Sequence, residues 1–554
     1  MVQKTKFRDI GQLKQLAVNK AIEQVYNKKY TGALSTIKKH FKAEDSTSYF
    51  FKGWVTQLNN DHIKAIKYFE KSLMQNPINQ DALVGLVASY IEIGDFERAH
   101  ECAEQCVLLN KKDPKNILTL ATVISKRYRY NRDKQLEAVK YYNEAFDLIK
   151  DSPNMTKDYV QLATDILAGW GASLIDLHEV EQAIIILEVA THLDPLNPLI
   201  HKNLASAYTS INEIDKAVDS CKHAQRSDET NIVYDSMYQE GMLELMRGNY
   251  PKGWRLHEMR LNTSQFASVR SMKTPQWDGR PLKDYESILV YQEQGIGDTL
   301  QFSRYLPLIS AVAKNIDIEV MANQYEKWEN ASEEPNSIRK FLHKNYSANV
   351  RNSYIKGWNT PDYEEYTYVV SFMSLPRIFR TTLDTVPEIP YFKTENIVTD
   401  KKFNVGLLWQ GSKDHRNDKN RSIPIELIKN LVIKFPNLSF VSLQLDKYEE
   451  FKDVKNLYSL SEKVNSIEDT LSIIQNCDIV VSVDSMVAHL AASTNKPTLL
   501  LHAYSPDWRW MLNREDSPWY PSVLNIRQDI SKSWDKPLQE VEKQLQKQFK
   551  IIID

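Results

Sequence analysis

Over roughly the first half of the chain, apolar positions recur at helical spacing, with small residues at fixed places. Ala65 and Ala99 are 34 residues apart, and so are Ala183 and Ala217. Gly53, Trp54, Phe69 and Pro77 surround Ala65, while Tyr90, Gly94 and a later Pro114 surround Ala99. Leu187, Ala190 and Pro195 follow Ala183; Leu204, Ala205 and Tyr208 precede Ala217, with Ala224 after it. Ala138, Tyr142 and Ala145 mark a further unit, and in a last one Gly241 precedes Gly253, which stands in the alanine's place. Small residues let the two helices of a hairpin approach, aromatics fill the gap between hairpins, and proline closes the second helix. This predicts about six or seven helix pairs over residues 12–262, almost wholly helical.

Beyond a Pro/Gly/Asp-containing connection (263–284) the period changes. Short β-branched or aliphatic runs appear: SILVYQ, DIEVMA, YTYVVS, NVGLLWQ, LSFVSLQL, DIVVSV and PTLLLH. Helix-length amphipathic stretches separate most of them, which predicts parallel sheet covered on both faces. A proline-rich break at 386–402 divides them, so two doubly wound units are expected, 285–395 and 400–530, with a closing helix at 531–554. The predicted fold class is an α-solenoid followed by a twin Rossmann-like α/β region.

Three segments of the second half carry chemistry. In YQEQGIGDTLQF a strand runs into a turn where Gly295 and Gly297 permit exposed backbone amides. Asp298 then stands outside a strand end, where such sheets bind ligands, or it simply caps the helix. GIGDTL lacks the third glycine of a dinucleotide fingerprint. The second segment ends a strand at Trp409, Gln410, Gly411 and Ser412; a Lys/His/Arg-rich loop follows, and Arg421 precedes a helix. Cations and a helix start at a strand end suit a phosphate or diphosphate, and a solvated loop is the plain alternative. In the third, DIVVSV delivers Asp484 and Ser485 to a helix start with His489 one turn in. The free amides there form a second anion site, while a lone helical histidine is also at home in a core. Of Trp508, Trp510 and Trp519, two are expected to be packing residues.

Composition narrows the classes. The 554 residues hold 70 Lys plus Arg against 72 Asp plus Glu, so nucleic acid has no electrostatic support as the main partner. With 42% hydrophobic and 26% charged residues the chain is an ordinary folded one. Only 16 glycines occur, none after Gly411, which favours helix. Four cysteines make no disulfide framework, and Cys102 with Cys106 lacks a second ligand pair for zinc. No signal-peptide core opens the sequence and no run of 18 apolar residues occurs, so a reducing cytoplasm is expected and no transmembrane segment.

The repeat resembles the tetratricopeptide repeat, whose arrays present a concave surface to a peptide or another protein. GIGD after a strand, GLLWQGS…RSIP, the strand followed by Asp-Ser-x-x-x-His, and the tail PDWRWMLNREDSPWYP together resemble tetratricopeptide-repeat glycosyltransferases. Their catalytic half is similar to the heptosyltransferase family and, more distantly, to the O-linked N-acetylglucosamine transferases. The resemblance covers about 15–530 and implies a two-lobed GT-B fold, with the acceptor mainly on the first lobe (285–395) and a nucleotide sugar on the second (400–530). It implies that Asp298 is the general base and that Trp409, Ser412 and Arg421 line the nucleotide and phosphate segment. Gln444 would lie near the nucleotide, Asp484, Ser485 and His489 would hold the donor diphosphate, and His489 joins Asp298 as an expected catalytic residue. The family commonly has a glycine soon after Asp-Ser; here the residue is Met486.

The activity so implied is sugar transfer from a nucleotide diphosphate sugar to a hydroxyl of a protein or glycan held by the repeats. A carboxylate takes the hydroxyl proton, and a cation with helix N-termini meets the charge on the departing diphosphate. No Asp-x-Asp and no HExxH occur, so neither a metal nor another cofactor is expected, and the resemblance implies inversion. The alternative is a repeat scaffold for protein–protein interaction carrying a transferase region that has lost turnover. An α/β hydrolase lacks its G-x-S-x-G.

Overall fold

In a computed structural model of the chain, the described residues are 12–27, 29–41, 45–152, 155–263, 273–321, 337–346, 352–356, 365–388, 392, 399–412, 417–445 and 451–550. The chain divides into two compact units, Met1–Ser210 and Ile211–Asp554. The helices of 214–262, which the repeat pattern groups with those before them, fall in the second.

The first unit is helical throughout its described residues. It runs through α1 (Gln12–Tyr26), α2 (Tyr30–His40), α3 (Ser46–Leu58), α4 (His62–Gln75), α5 (Gln80–Glu92), α6 (Phe96–Leu109), α7 (Pro114–Arg127), α8 (Arg132–Asp147), α9 (Lys157–Asp176), α10 (Val180–Leu193) and α11 (Pro198–Ser210). The starts are written locally. Asp61 and Asp95 cap α4 and α6 by accepting the amides of Lys64 and Arg98, and Asn79 and Asp113 do the same for α5 and α7. Pro114 departs from the expected role: it opens α7 as a first-turn residue, where its missing N–H costs nothing. Ala65, Ala99, Ala138 and Ala183 are fully buried at the hairpin contacts. The Phe69 ring lies between Gly53 and Gly85; a Cβ on either glycine would come within 2.8 and 2.5 Å of it. No helix among the described residues is long and apolar enough to cross a membrane.

The second unit opens with α12 (Ile214–Ala224), α13 (Thr230–Met246), α14 (Tyr250–His257) and a tight turn, Glu258–Asn262. A Cβ on Gly241 would stand 2.6 Å from the His257 backbone nitrogen, so glycine sets the α13–α14 crossing. The first sheet is wholly parallel in the order β3-β2-β1-β4: β1 (Ser287–Tyr291), β2 (Asn315–Met321), β3 (Asn352–Lys356) and β4 (Tyr368–Ser371). The second, also parallel, has the order β10-β9-β8-β5-β6-β7: β5 (Phe403–Leu408), β6 (Phe440–Ser442), β7 (Leu457–Ser459), β8 (Cys477–Val483), β9 (Thr498–His502) and β10 (Val523–Arg527). Three of these ten, β3, β7 and β10, escape the sequence reading because NSYIK, LYS and VLNIR are short or interrupted by polar residues. Helices α15 (Ile296–Phe302), α16 (Leu306–Ser310), α17 (Ser337–Tyr346), α18 (Leu375–Ile378), α19 (Asp418–Arg421), α20 (Ile425–Ile433), α21 (Ile467–Gln475), α22 (Met486–Ser493) and α23 (Asp535–Phe549) accompany the sheets. One hydrophobic core runs from Trp254 of α14 through Phe302 of α15 to Trp508, Trp510 and Trp519, so all three tail tryptophans are packing residues.

In each sheet the first strand lies between neighbours whose connections run in opposite directions. That leaves a crevice at the strand C-termini, between β1 and β4 in one sheet and between β5 and β8 in the other.

Candidate active site

The expected site residues divide into those the structure brings together and those it does not. Asp298 is the third residue of α15, and Gly295 is the N-cap, so the aspartate does not cap the helix in the usual way. It reaches back instead to the Gly295 backbone amide, one half of a capping box. Gly295 itself has φ −64°, which any residue adopts, so no glycine-only turn is present there. Gly297 matters through packing. A Cβ there would meet His489 Cδ2 at 3.3 Å and Met486 Cα at 3.5 Å. The start of α15 thus lies directly against the start of α22, and the small residue that close approach requires sits in the first sheet's helix, opposite Met486.

The Asp298 carboxylate is bound by Arg509, a residue the sequence reading passed over. Arg509 is 6% exposed and uses its whole fork. Nε donates to Gln301 Oε1 at 2.8 Å, one Nη to Asp507 Oδ1 at 2.8 Å and the other to Asp298. Its plane lies over the Trp508 ring at 4.3 Å. The signal was available: an arginine between two tryptophans, in Asp507-Trp508-Arg509-Trp510, must find acceptors when its neighbours are buried.

Asp298, Asp484 and Asp507 share one field. Burial raises the Asp298 carboxyl above its ordinary range, and the Arg509 charge opposes this only in part. Burial also raises Asp484, to about 6, reinforced by the charge of Asp507. For Asp507 burial acts the same way, but the Arg509 guanidinium outweighs it and holds the carboxyl low. Asp507 therefore stays ionised while Asp484 takes up a proton first, as two interacting carboxylates do.

His489 is fixed rather than free. Its Nδ1 is 2.9 Å from the Tyr520 hydroxyl, and its ring stacks on Trp510 at 5.3 Å. Burial and the Arg509 charge push the imidazole down to about 3, so it is neutral under ordinary conditions. Tyr520 lies under Arg304, whose guanidinium donates to the Trp519 carbonyl at 2.9 Å. Ser485 caps α22 by accepting the Ala488 amide.

Arg421 spans the crevice of the second sheet. It donates to the Asp484 carbonyl at 3.0 Å, to the Ser412 carbonyl at 3.4 Å and to Asp418 at 3.2 Å. Gly411 makes room for it: a Cβ there would collide with the guanidinium. Residues 413–416, within the expected basic loop, lie outside the described residues. Trp409 is not presented to a ligand; it is 2% exposed and packs edge-on against Phe451 at 4.9 Å. Gln410 is half-buried beside it. Gln444 brackets Ser442 through its backbone, bonds that tie it to the end of β6. Among the described residues no group of three His, Cys, Asp or Glu side chains is placed to hold a metal ion.

Residues 458–546, which contain Asp484, His489, Asp507 and Arg509, match glycosyltransferase family 9 (heptosyltransferase). Residues 58–122 match a tetratricopeptide repeat. The chain is 23% identical over 381 residues to Protein FlbA of Caulobacter vibrioides, an overlap of 64% of this chain and 62% of that protein. It therefore spans about three fifths of the length of that curated relative. Solved structures similar to it include a thermophilic tetratricopeptide protein in Thermus thermophilus, 18% identical over 36% of this chain and 99% of that one, with a TM-score of 0.31. Pseudomonas aeruginosa pilF is another, 13% identical over 41% and 97% with a TM-score of 0.32. The chain joins tetratricopeptide repeats to a glycosyltransferase family 9 (heptosyltransferase) domain.

Proposed function

We propose that the chain transfers a sugar from a nucleotide diphosphate sugar to an acceptor hydroxyl on a protein or glycan, with the repeats recruiting the acceptor. The observation that carries this is the meeting of Asp298, at the strand end of the first sheet, with the start of α22 and the Asp484–Ser485 strand end of the second. A raised carboxylate at that point is suited to take the hydroxyl proton as oxygen attacks the anomeric carbon. The bond to the diphosphate breaks with its electron pair on the leaving oxygen. Arg421 and the α22 amides are the groups that would meet that charge in place of a metal. Arg509 holds Asp298 in place, and neutral His489 packs the two helix starts together. Attack from the face opposite the diphosphate would invert the anomeric centre, in keeping with the family resemblance. Four free cysteines fit a reducing, cytoplasmic setting.

One observation favours the scaffold reading: every nitrogen of the Arg421 guanidinium already donates within the protein. Incubation with a panel of nucleotide sugars separates the two. The transferase releases free nucleotide from one donor, and that donor raises the melting temperature. Stabilisation without release marks a binding scaffold.

A further inference from the structure

The ends of β1 and β4 in the first sheet are bridged by a side chain from the last repeat segment. Arg260, in the turn after α14, is fully buried. Its Nε and one Nη grip both Glu293 oxygens at 2.8 and 2.9 Å. Glu293 lies in the turn that follows β1, five residues before Asp298. The same Nη donates to Ser374 Oγ, beyond β4, at 2.9 Å. The other Nη donates to Glu258 at 2.7 Å and sits 3.2 Å from His257 Nδ1 and from the His257 carbonyl. Glu258 is tied in turn by Arg377 at 3.2 Å. One side chain thus holds both walls of the crevice with all five of its N–H groups. Arg421 makes the matching bridge in the other sheet, but there the arginine comes from the α/β region itself.

We propose that Arg260 is a positioning residue of the transferase: through Glu293 it fixes the turn that carries Asp298, making the last repeat segment part of the active site. The inference rests on the reading of Asp298 as the base. The pair is charge-balanced, since Arg260 and Arg377 face Glu258 and Glu293, so burial of the ions is compensated. A Lys at 260 would keep the charge and lose the two-oxygen grip.

The test compares full-length wild type with Arg260→Lys, Glu293→Gln and Arg280→Met. Arg280 pairs with Glu286 at the opposite end of β1, so its loss reports on a sheet ion pair away from the site. Hydrogen exchange of residues 292–298 should become about tenfold faster or more in Glu293→Gln and in Arg260→Lys, and should stay near wild type in Arg280→Met. With a turned-over donor, kcat should fall in the first two at nearly unchanged donor KM. Unchanged exchange in the 292–298 turn, or an equal change in Arg280→Met, overturns the proposal. If wild type turns over no donor, the transferase reading fails, and the exchange result still decides whether Arg260 positions the turn.

Discussion

Arg509 donates to Asp298 across 211 residues of sequence, joining the loop after β9 to the first turn of α15. The pair links the helix start of one sheet to the tail of the other, and it decides what each carboxylate nearby can do. Arg509→Met should leave Asp298, Asp484 and Asp507 without their common cation, and loss of one partner from a buried pair costs about 3–5 kcal/mol. Arg509→Lys should recover part of this but not the three-way fork. Chemical denaturation of the two variants measures the difference.

The same pair sets the pH dependence. Asp298 must be ionised to act as a base, and its carboxyl is raised. Activity should therefore fall as pH drops through a value above the ordinary carboxylate range. Removing the cation that opposes the shift moves the fall to higher pH, so Arg509→Lys, which keeps the charge, should shift the acid limb less than Arg509→Met. A rate–pH profile of each variant that still folds checks the order.

Three buried histidines predict acid sensitivity. His489 and His502 are pushed down to about 3, and His257 lies well below its ordinary 6.5, in each case chiefly through burial. Between pH 6.5 and about 3 the unfolded chain binds protons at His489 and His502 that the folded chain refuses, and below 6.5 the same holds in direction for His257, so stability falls as pH drops through that window. The slope is at most about 1.4 kcal/mol per pH unit for each histidine. His489→Phe should flatten the acid side of a stability–pH curve measured by denaturant titration.

How much of this was legible in the sequence depended on distance along the chain. The places of Asp298 and Asp484 beyond strand ends could be read because a strand, a turn and a helix follow one another locally. Ala65 and Ala99 could be found because the repeat writes them twice. Arg509 and Arg260 could not be placed: each has one carboxylate partner two residues away, but the partners that join separate elements, Asp298 and Glu293, lie 211 and 33 residues away. Trp409 misleads for the opposite reason. It directly follows a strand beside the site, yet its ring is buried in the core against Phe451.

The crevice of the second sheet can be tested without deleting a charge. Gly411→Ala places a Cβ where the Arg421 guanidinium now sits, and the flexible arginine should move while the fold survives. Both Gly411→Ala and Arg421→Ala should weaken binding of a nucleotide diphosphate by about 1.5–3 kcal/mol, with less effect on the nucleoside alone. Equal losses for the two ligands in a calorimetric titration show that Arg421 does not read phosphate.

Asp298→Asn asks whether the Asp298 carboxylate takes the acceptor proton. The variant keeps the side-chain shape and an oxygen for the Gly295 amide, and it leaves Arg509 paired with Asp507, so a stability loss of about 1–3 kcal/mol is expected. The measurement is the initial rate of nucleotide release and sugar transfer, at saturating donor, for wild type and variant side by side with donor affinity. If Asp298 is the base, donor affinity stays near normal and turnover falls by about 10²- to 10⁴-fold. A folded Asp298→Asn protein that turns over within a few-fold of wild type contradicts that role.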